Sequence, residues 1–309
     1  MAIKKKKGTR TGIEMYNQIS MPTNILLSLI VFAWAMLCLL PVLLVVSISF
    51  ASEASVKANG YQFFPSELTL DAYNVIFGAD SRIPRSLLVS VIITLVGTSI
   101  GVLIQAAYGY VLSQRSYYLT KAAHIFILIP MLFGGGLIPS YMINTGVLGF
   151  KDSIFALILP GMVGTANIII MRTYFKGQLS QSILEQAEID GSNELRTFFT
   201  IVLPLSLPVL ATIAIFMAFG YWNGWMEAKL YIKKPELKPL QALLMDIQGS
   251  INFMLSEEGQ KQATLLNIEI PRDGIRMALV VVIVVPIALV YPFFQRYFVS
   301  GLTIGAVKG

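Results

Sequence analysis

Six stretches of this chain carry no aspartate, glutamate, lysine or arginine: Leu26 to Phe50, Leu87 to Leu112, Ala122 to Ile143, Ile154 to Met171, Leu203 to Trp225 and Met277 to Phe294. A helix rises about 1.5 Å per residue and needs roughly 20 apolar residues to cross a hydrocarbon core of about 30 Å. Lipid offers no partner to backbone N–H and C=O groups, so such segments must satisfy them internally, as helices do. Only 13% of residues are charged and 55% are hydrophobic, where soluble chains have about 25% charged. The pattern predicts an all-α membrane protein with six transmembrane helices. The first stretch is too long for a cleaved signal peptide and lacks a small-residue cleavage site, so it reads as a true span.

Lys4 to Lys7 and Arg10 immediately precede the first span, and the positive-inside rule places that flank in the cytoplasm. Six spans then return the carboxyl terminus to the same side. The expected organisation is a basic cytoplasmic segment over residues 1–24, a six-helix domain over 25–296 and a cytoplasmic tail over 297–309. The connections around Arg115 to Lys121 and Arg172 to Val202 also become cytoplasmic, and a loop over about 226–274 becomes external. That loop carries Lys229, Lys233, Lys234, Lys238, Lys261 and Arg272, but loops of this length translocate largely regardless of charge. The basic terminus suits anionic lipid headgroups and implies no nucleic-acid partner.

Several short motifs carry no chemistry. Gly97-Thr-Ser-Ile-Gly101 matches G-x-S-x-G, yet it lies within a span and not at a strand-to-helix elbow, and its two glycines suit close helix packing instead. His124 is the only histidine and Cys38 the only cysteine, so no zinc site, catalytic triad or internal disulfide is implied. Gly134-Gly-Gly136, between Pro130 and Pro139, marks an interrupted helix that either lines a translocation path or is a kink. No cofactor and no metal are implied.

The uncharged spans bear on energetics. Proton-coupled carriers generally carry ionisable groups near the midplane, and these spans have no acidic or basic residue there; an ion-coupled secondary carrier of small polar solutes remains the alternative, since carbonyls can hold a sodium ion. No phosphate-loop motif occurs either, so a motor for active transport must be another subunit. Attention falls on the polar island Glu185-Gln-Ala-Glu-Ile-Asp190-Gly191, which runs into Ile201-Val-Leu203-Pro204. Ser182 and Glu185 are spaced as a capping box that would open a first helix. Gly191 can end it in a left-handed conformation. Leu195, Phe198, Phe199 and Val202 then recur at helical spacing as one apolar face. A helix-turn-helix docking peg is expected, with Ala187 small enough for close contact.

Glu185-x-Ala187-x-x-Asp190-Gly191, followed by Phe198-x-x-Ile201-x-Leu203-Pro204 and Pro208, resembles the EAA loop of permeases of bacterial ATP-binding-cassette importers, with Gln186 replacing the usual second alanine. Phe64-Pro-Ser-Glu-Leu-Thr-Leu-Asp71-Ala-Tyr73, Tyr221-Trp-Asn223 and the run from Gln295 to Gly309 resemble carbohydrate-uptake permeases related to the maltose-system G subunit. Phe133-Gly-Gly-Gly-Leu-Ile-Pro139-Ser-Tyr141 is similar to the branch that works with lipoprotein-type sugar-binding proteins. The resemblance implies a type I importer permease fold, plasma-membrane location and a permease subunit with no enzymatic activity. It also implies a second homologous permease as heterodimer partner, two copies of a cytoplasmic ATPase, an external solute-binding lipoprotein and a carbohydrate substrate. The coupling loop, about 176–204, would dock on the ATPase through Glu185, Ala187, Asp190, Gly191, Phe198, Ile201, Leu203 and Pro204. Tyr221, Trp222, Asn223, Gly135 and Tyr141 are candidates for the translocation path, although the tryptophans suit an interfacial aromatic belt as well.

Overall fold

The computed structural model describes residues 20–78, 81–114, 118–256 and 273–306. The basic amino-terminal cluster, Arg115, Lys261, Arg272 and residues 307–309 lie outside the described residues. Helix α1 (Met21–Ser49) carries Pro22 in its first turn, where a missing N–H goes unused. It is apolar all round, and every residue from Met21 to Leu43 is exposed on this chain, as suits a span that meets lipid or another subunit. At the far end of the bundle, where α1 finishes, lie the short helices α2 (Glu53–Asn59) and α3 (Asp71–Phe77). Helix α4 (Ile83–Ser113) runs back to the near end.

The next three spans are bent. Helix α5 (Thr120–Leu132) meets α6 (Leu137–Met142), which a π-helical turn continues to Val147, at 112°. Helix α7 (Phe155–Ile158), with a 3-10 turn to Gly161, meets α8 (Thr165–Gln178) at 44°. At the near end, α9 (Gln181–Ile189) leads to α10 (Glu194–Thr197), a π-helical turn and α11 (Leu203–Leu205), which meets α12 (Leu207–Asn223) at 83°. The far end then holds α13 (Met226–Tyr231) and α14 (Leu240–Leu255), and α15 (Asp273–Ala306) crosses last.

Three of the six expected spans are therefore broken. The third turns at Gly136, whose φ is +79°, a value that suits glycine; Ser140 Oγ donates to the Gly136 carbonyl at 2.8 Å. The fourth opens at Met162, where buried Gln105 supplies what the backbone lost: its Nε2 donates to the Met162 carbonyl at 2.7 Å. Irregular backbone at membrane depth needs such a partner. The fifth turns at buried Ser206, so it starts at Leu207 and not at Leu203.

Helix α4 is the centre of the bundle. Its buried face includes Gly97, Gly101, Gln105, Ala106 and Gly109, and missing side chains let neighbours in. A Cβ on Gly101 would stand 2.3 Å from Met217 Cε and 3.0 Å from the Met162 carbonyl oxygen; one on Gly109 would stand 3.0 Å from Met171 Cβ. The close-packing reading of Gly97 and Gly101 holds. In lipid, this backbone approach and the dispersion contacts it permits associate helices, since the hydrophobic effect gives little between apolar segments.

The described part of the expected external loop, up to residue 256, folds back on the bundle. Buried Leu240 donates its N–H to Ser90 Oγ at 2.8 Å and packs with Ala72, Ile76, Ala278 and Leu279. Asp152, at φ +56°, accepts from the backbone N–H of Lys233 and, at 3.0 Å, of Lys234. Those two amide donors hold its carboxyl below the ordinary carboxylate range. Its own N–H donates to the Tyr231 carbonyl at 3.0 Å, so the 148–153 turn and the segment after α13 are clamped together.

Candidate functional site

At the near end, α9 and α10 form a corner whose geometry follows from Gly191. Its φ is +77°, its N–H donates to the Glu188 carbonyl at 3.0 Å, and the Ser192 N–H donates to the Ala187 carbonyl at 2.9 Å. This pair of bonds is the Schellman motif, which satisfies carbonyls that a helix end leaves free. Asn193 then caps α10, its Oδ1 accepting from the Arg196 N–H at 2.8 Å. Asn193 followed by Glu194 was the sequence signal for this start, an amide cap before an acidic first turn. The capping box expected at Ser182 and Glu185 does not form: α9 starts at Gln181, and Ser182 Oγ lies 2.7 Å from Ser180 Oγ instead.

The apolar residues after the corner do not share one face. Phe198 and Val202 are buried with Tyr110, Ala106, Met171 and Phe175, and the Phe198 ring lies 5.6 Å from Tyr110. Leu195 and Phe199, one residue round and also four apart, are 71% and 57% exposed. A four-residue step keeps each pair on its own side of the helix. Ala187 is buried as well, at 5% exposure, so it braces the corner from within, as Phe198 does. Ile189, 78% exposed, joins Leu195 and Phe199 in the outward set. Glu185 and Pro204 are exposed, whereas Ile201 and Leu203 are half-buried. Gln186 Nε2 donates to Asp190 Oδ1 at 3.1 Å, so the residue that departs from the usual alanine steadies the acidic member of the motif. The product is a rigid peg with an apolar tip flanked by Glu185, Glu188 and Asp190.

A second feature lies within the bundle. A cavity of 380 Å³ is lined by Ile93, Leu157, Pro160, Gly161, Asn167, Phe216, Met217, Gly220, Tyr221, Gly224, Glu227 and Pro239. Tyr221 forms one wall: its hydroxyl donates to the Ile158 carbonyl at 2.7 Å, and its ring fills the space in front of Gly97 and Gly161, where a Cβ would come within 2.5 Å and 3.0 Å. Of the five residues expected on a path, Tyr221 alone lines this cavity. Trp222 turns away, buried, with Nε1 donating to the Ile283 carbonyl at 3.2 Å. Asn223 is exposed and accepts from Gln241 Nε2 at 3.2 Å. Tyr141 stacks on Tyr231 with centroids 5.8 Å apart, and Gly135 is exposed with open space around it. Asn167 and Glu227 were missed, although Asn167 is the one amide in the fourth apolar stretch and Glu227 the first charge after the fifth.

Known proteins resemble this chain over most of its length. Residues 12–304 match the family described as binding-protein-dependent transport system inner membrane component. The chain is 39% identical over 279 residues to the polygalacturonan/rhamnogalacturonan transport system permease protein YtcP of Bacillus subtilis (strain 168), covering 89% of this chain and 94% of that one. It is 38% identical over 271 residues to protein LplC of the same organism, covering 88% and 90%. The crystal structure of a bacterial ABC transporter involved in the import of the acidic polysaccharide alginate has a chain that superposes with a TM-score of 0.78 at 27% identity, covering 91% of this chain and 99% of that one.

Proposed function

The chain belongs to the family of binding-protein-dependent transport system inner membrane components, and from that premise we propose that it forms half of the path of an ATP-driven carbohydrate importer. It is a multi-pass, non-enzymatic permease subunit that works with a binding protein, an ATPase and a partner permease; an ion-coupled carrier mechanism finds no support. Relatives named for sugar and oligosaccharide transport, YtcP among them, support a carbohydrate cargo.

In the proposed assembly this chain pairs with a second, homologous permease, two ATPase subunits sit on the cytoplasmic side, and a lipoprotein delivers sugar from outside. Both termini and the Gly191 corner are cytoplasmic, with residues 1–24 and 297–309 flanking the permease domain. The observation that carries this reading is the peg: Ile189, Leu195 and Phe199 expose apolar side chains on a corner braced by Ala187 and Phe198. An exposed apolar patch rimmed by charge is an interaction surface, and a braced one transmits force when its partner moves. Glu185, Asp190 and Gly191 fix its shape and charge, while Ile201, Leu203 and Pro204 join it to α12. ATPase closure would thereby rock α12 and the cavity beside it.

Reconstitution tests the reading. The chain with its co-encoded permease, the ATPase and the binding protein is expected to couple ATP hydrolysis to concentrative sugar uptake in liposomes, and the chain alone to do neither. Concentrative uptake by the chain alone, under an ion gradient and without ATP, would overturn it.

A further inference from the structure

The break in the fourth span leaves two complementary polar groups facing one gap, and the importer reading gives neither a role. Gln105 of α4 is fully buried. Its Nε2 donates to the Met162 carbonyl at 2.7 Å and meets Met217 Sδ of α12 at 3.2 Å. A carbonyl only accepts, so the amide nitrogen faces Met162 and the amide oxygen points elsewhere. That oxygen, Oε1, has no hydrogen-bond partner among the described residues, a cost that folds seldom leave unrelieved. Asn167 lies in the first turn of α8, and among the described residues no hydrogen bond holds its amide elsewhere. A Cβ built on Gly164 would stand 3.7 Å from Gln105 Oε1 and 3.2 Å from Asn167 Nδ2. The acceptor and the donor therefore border the same space, which this glycine leaves open.

We propose that Gln105 and Asn167 are a positioning pair for the transport cycle, Gln105 Oε1 accepting from Asn167 Nδ2 in the importer's second conformation, which the fourth span reaches by turning at Gly164. The assignment rests on the importer reading, which requires two conformations of the bundle. The span already departs from straight by 44° at this break. One side of the break is tied to α4 through the Met162 carbonyl. The other side begins α8, which ends at Gln178, and α9 of the peg starts at Gln181. A partner that moves the peg therefore pulls on α8 as a lever whose pivot is Gly164. Leaving the peg by its other end, the chain enters α12, which carries Met217, so Gln105 touches both helices that the peg joins. A ligand shifts a two-state balance only through contacts that differ between the states, and a bond absent from the bent form and made in the other is a contact of that kind.

The test uses the assembled transporter in nanodiscs on a Cys38→Ser background, with partner subunits free of cysteine and spin labels at Phe155→Cys and Lys176→Cys, both exposed and one on each arm of the break. Pulsed electron spin resonance reads the distance between them without nucleotide and after trapping with ATP and vanadate. Two distances are expected, one of them that of the 44° bend, exchanging population between the two conditions. Asn167→Leu, close to isosteric, removes the donor, and Gly164→Ala fills the gap. The Gly164 backbone, at φ −113° and ψ 115°, accepts any residue, and neither change touches the bond to Met162. Both are expected to move the population toward the bent distance by about 2- to 10-fold, the range of one net hydrogen bond, while the melting temperature of the nucleotide-free complex stays unchanged. Gln105→Met also abolishes the pair, and on that background Asn167→Leu is expected to add nothing. A population that Asn167→Leu and Gly164→Ala leave unmoved overturns the pairing. So does a move away from the bend, the result that a water molecule pinned between the two groups in the bent form would give. A single distance under both conditions overturns the turning at Gly164. Because the labels report without sugar uptake, these failures are distinct from a failure of the importer reading, which shows as an absence of coupled transport in the reconstituted wild type.

Discussion

Replacing Gly191 by valine isolates a backbone effect at the corner, because an added Cβ there meets nothing within 4 Å. The cost comes from φ alone. At +77° the residue is in the left-handed region, which charges an L side chain roughly 1–2 kcal/mol, most for a β-branched one. The corner is closed by two hydrogen bonds, from Gly191 N–H at 3.0 Å and Ser192 N–H at 2.9 Å, each contributing about 0.5–1.5 kcal/mol net. Strain and closure are thus of equal size, and the closed corner becomes about 5- to 30-fold less favoured. A ligand that binds one conformer loses apparent affinity in proportion to that conformer's population, so ATPase affinity is expected to fall by up to the same factor. Asparagine tolerates the left-handed region better, which sets the order Gly, Asn, Ala, Val. Titration of purified ATPase onto the permease complex measures it, with membrane abundance followed alongside and expected to stay near normal. Wild-type affinity in Gly191→Val, or equal losses for asparagine and valine, would refute the reasoning.

Gly109→Val is expected to act on the bundle itself: its first carbon would press on Met171 Cβ at 3.0 Å and on the Arg172 backbone nitrogen at 3.2 Å, and overpacking of this kind costs about 1–3 kcal/mol, to be read as a lowered melting temperature of the detergent-solubilised complex. Asp152→Ala removes the acceptor shared by Lys233 and Lys234 and is expected to lower that temperature at pH 8 and pH 5 alike. Because the folded carboxyl is held below its ordinary range, the clamp is present above about pH 3.9 and is lost only as pH falls through the lower folded value; a wild type that sinks to the Asp152→Ala temperature by pH 5 contradicts this. For topology, single cysteines on a Cys38→Ser background are expected to react with an impermeant reagent in intact cells at Gln248→Cys and not at Glu188→Cys; the reverse pattern would invert the orientation and remove the corner from the ATPase side.

The sequence alone determined the class of the fold, because six uncharged apolar stretches leave the backbone no choice but helices in lipid. It also located the corner, since the φ that Gly191 adopts is set locally by a residue without a Cβ. The close approaches at Gly97 and Gly101 were legible for the same reason. What tertiary structure decided is which side each apolar residue serves. Leu195 and Phe198 are equally hydrophobic, and only the position of Tyr110 and Phe175 sends one inward and leaves the other out. That Ala187 is buried was not legible either, because burial depends on how α9 packs against the rest of the chain. The break in the fourth span was hidden because the group that steadies it is distant in sequence, as Gln105 is from Met162. The cavity was hidden likewise: Asn167, Tyr221 and Glu227 come from different elements, and periodicity within one segment says nothing of which segments meet.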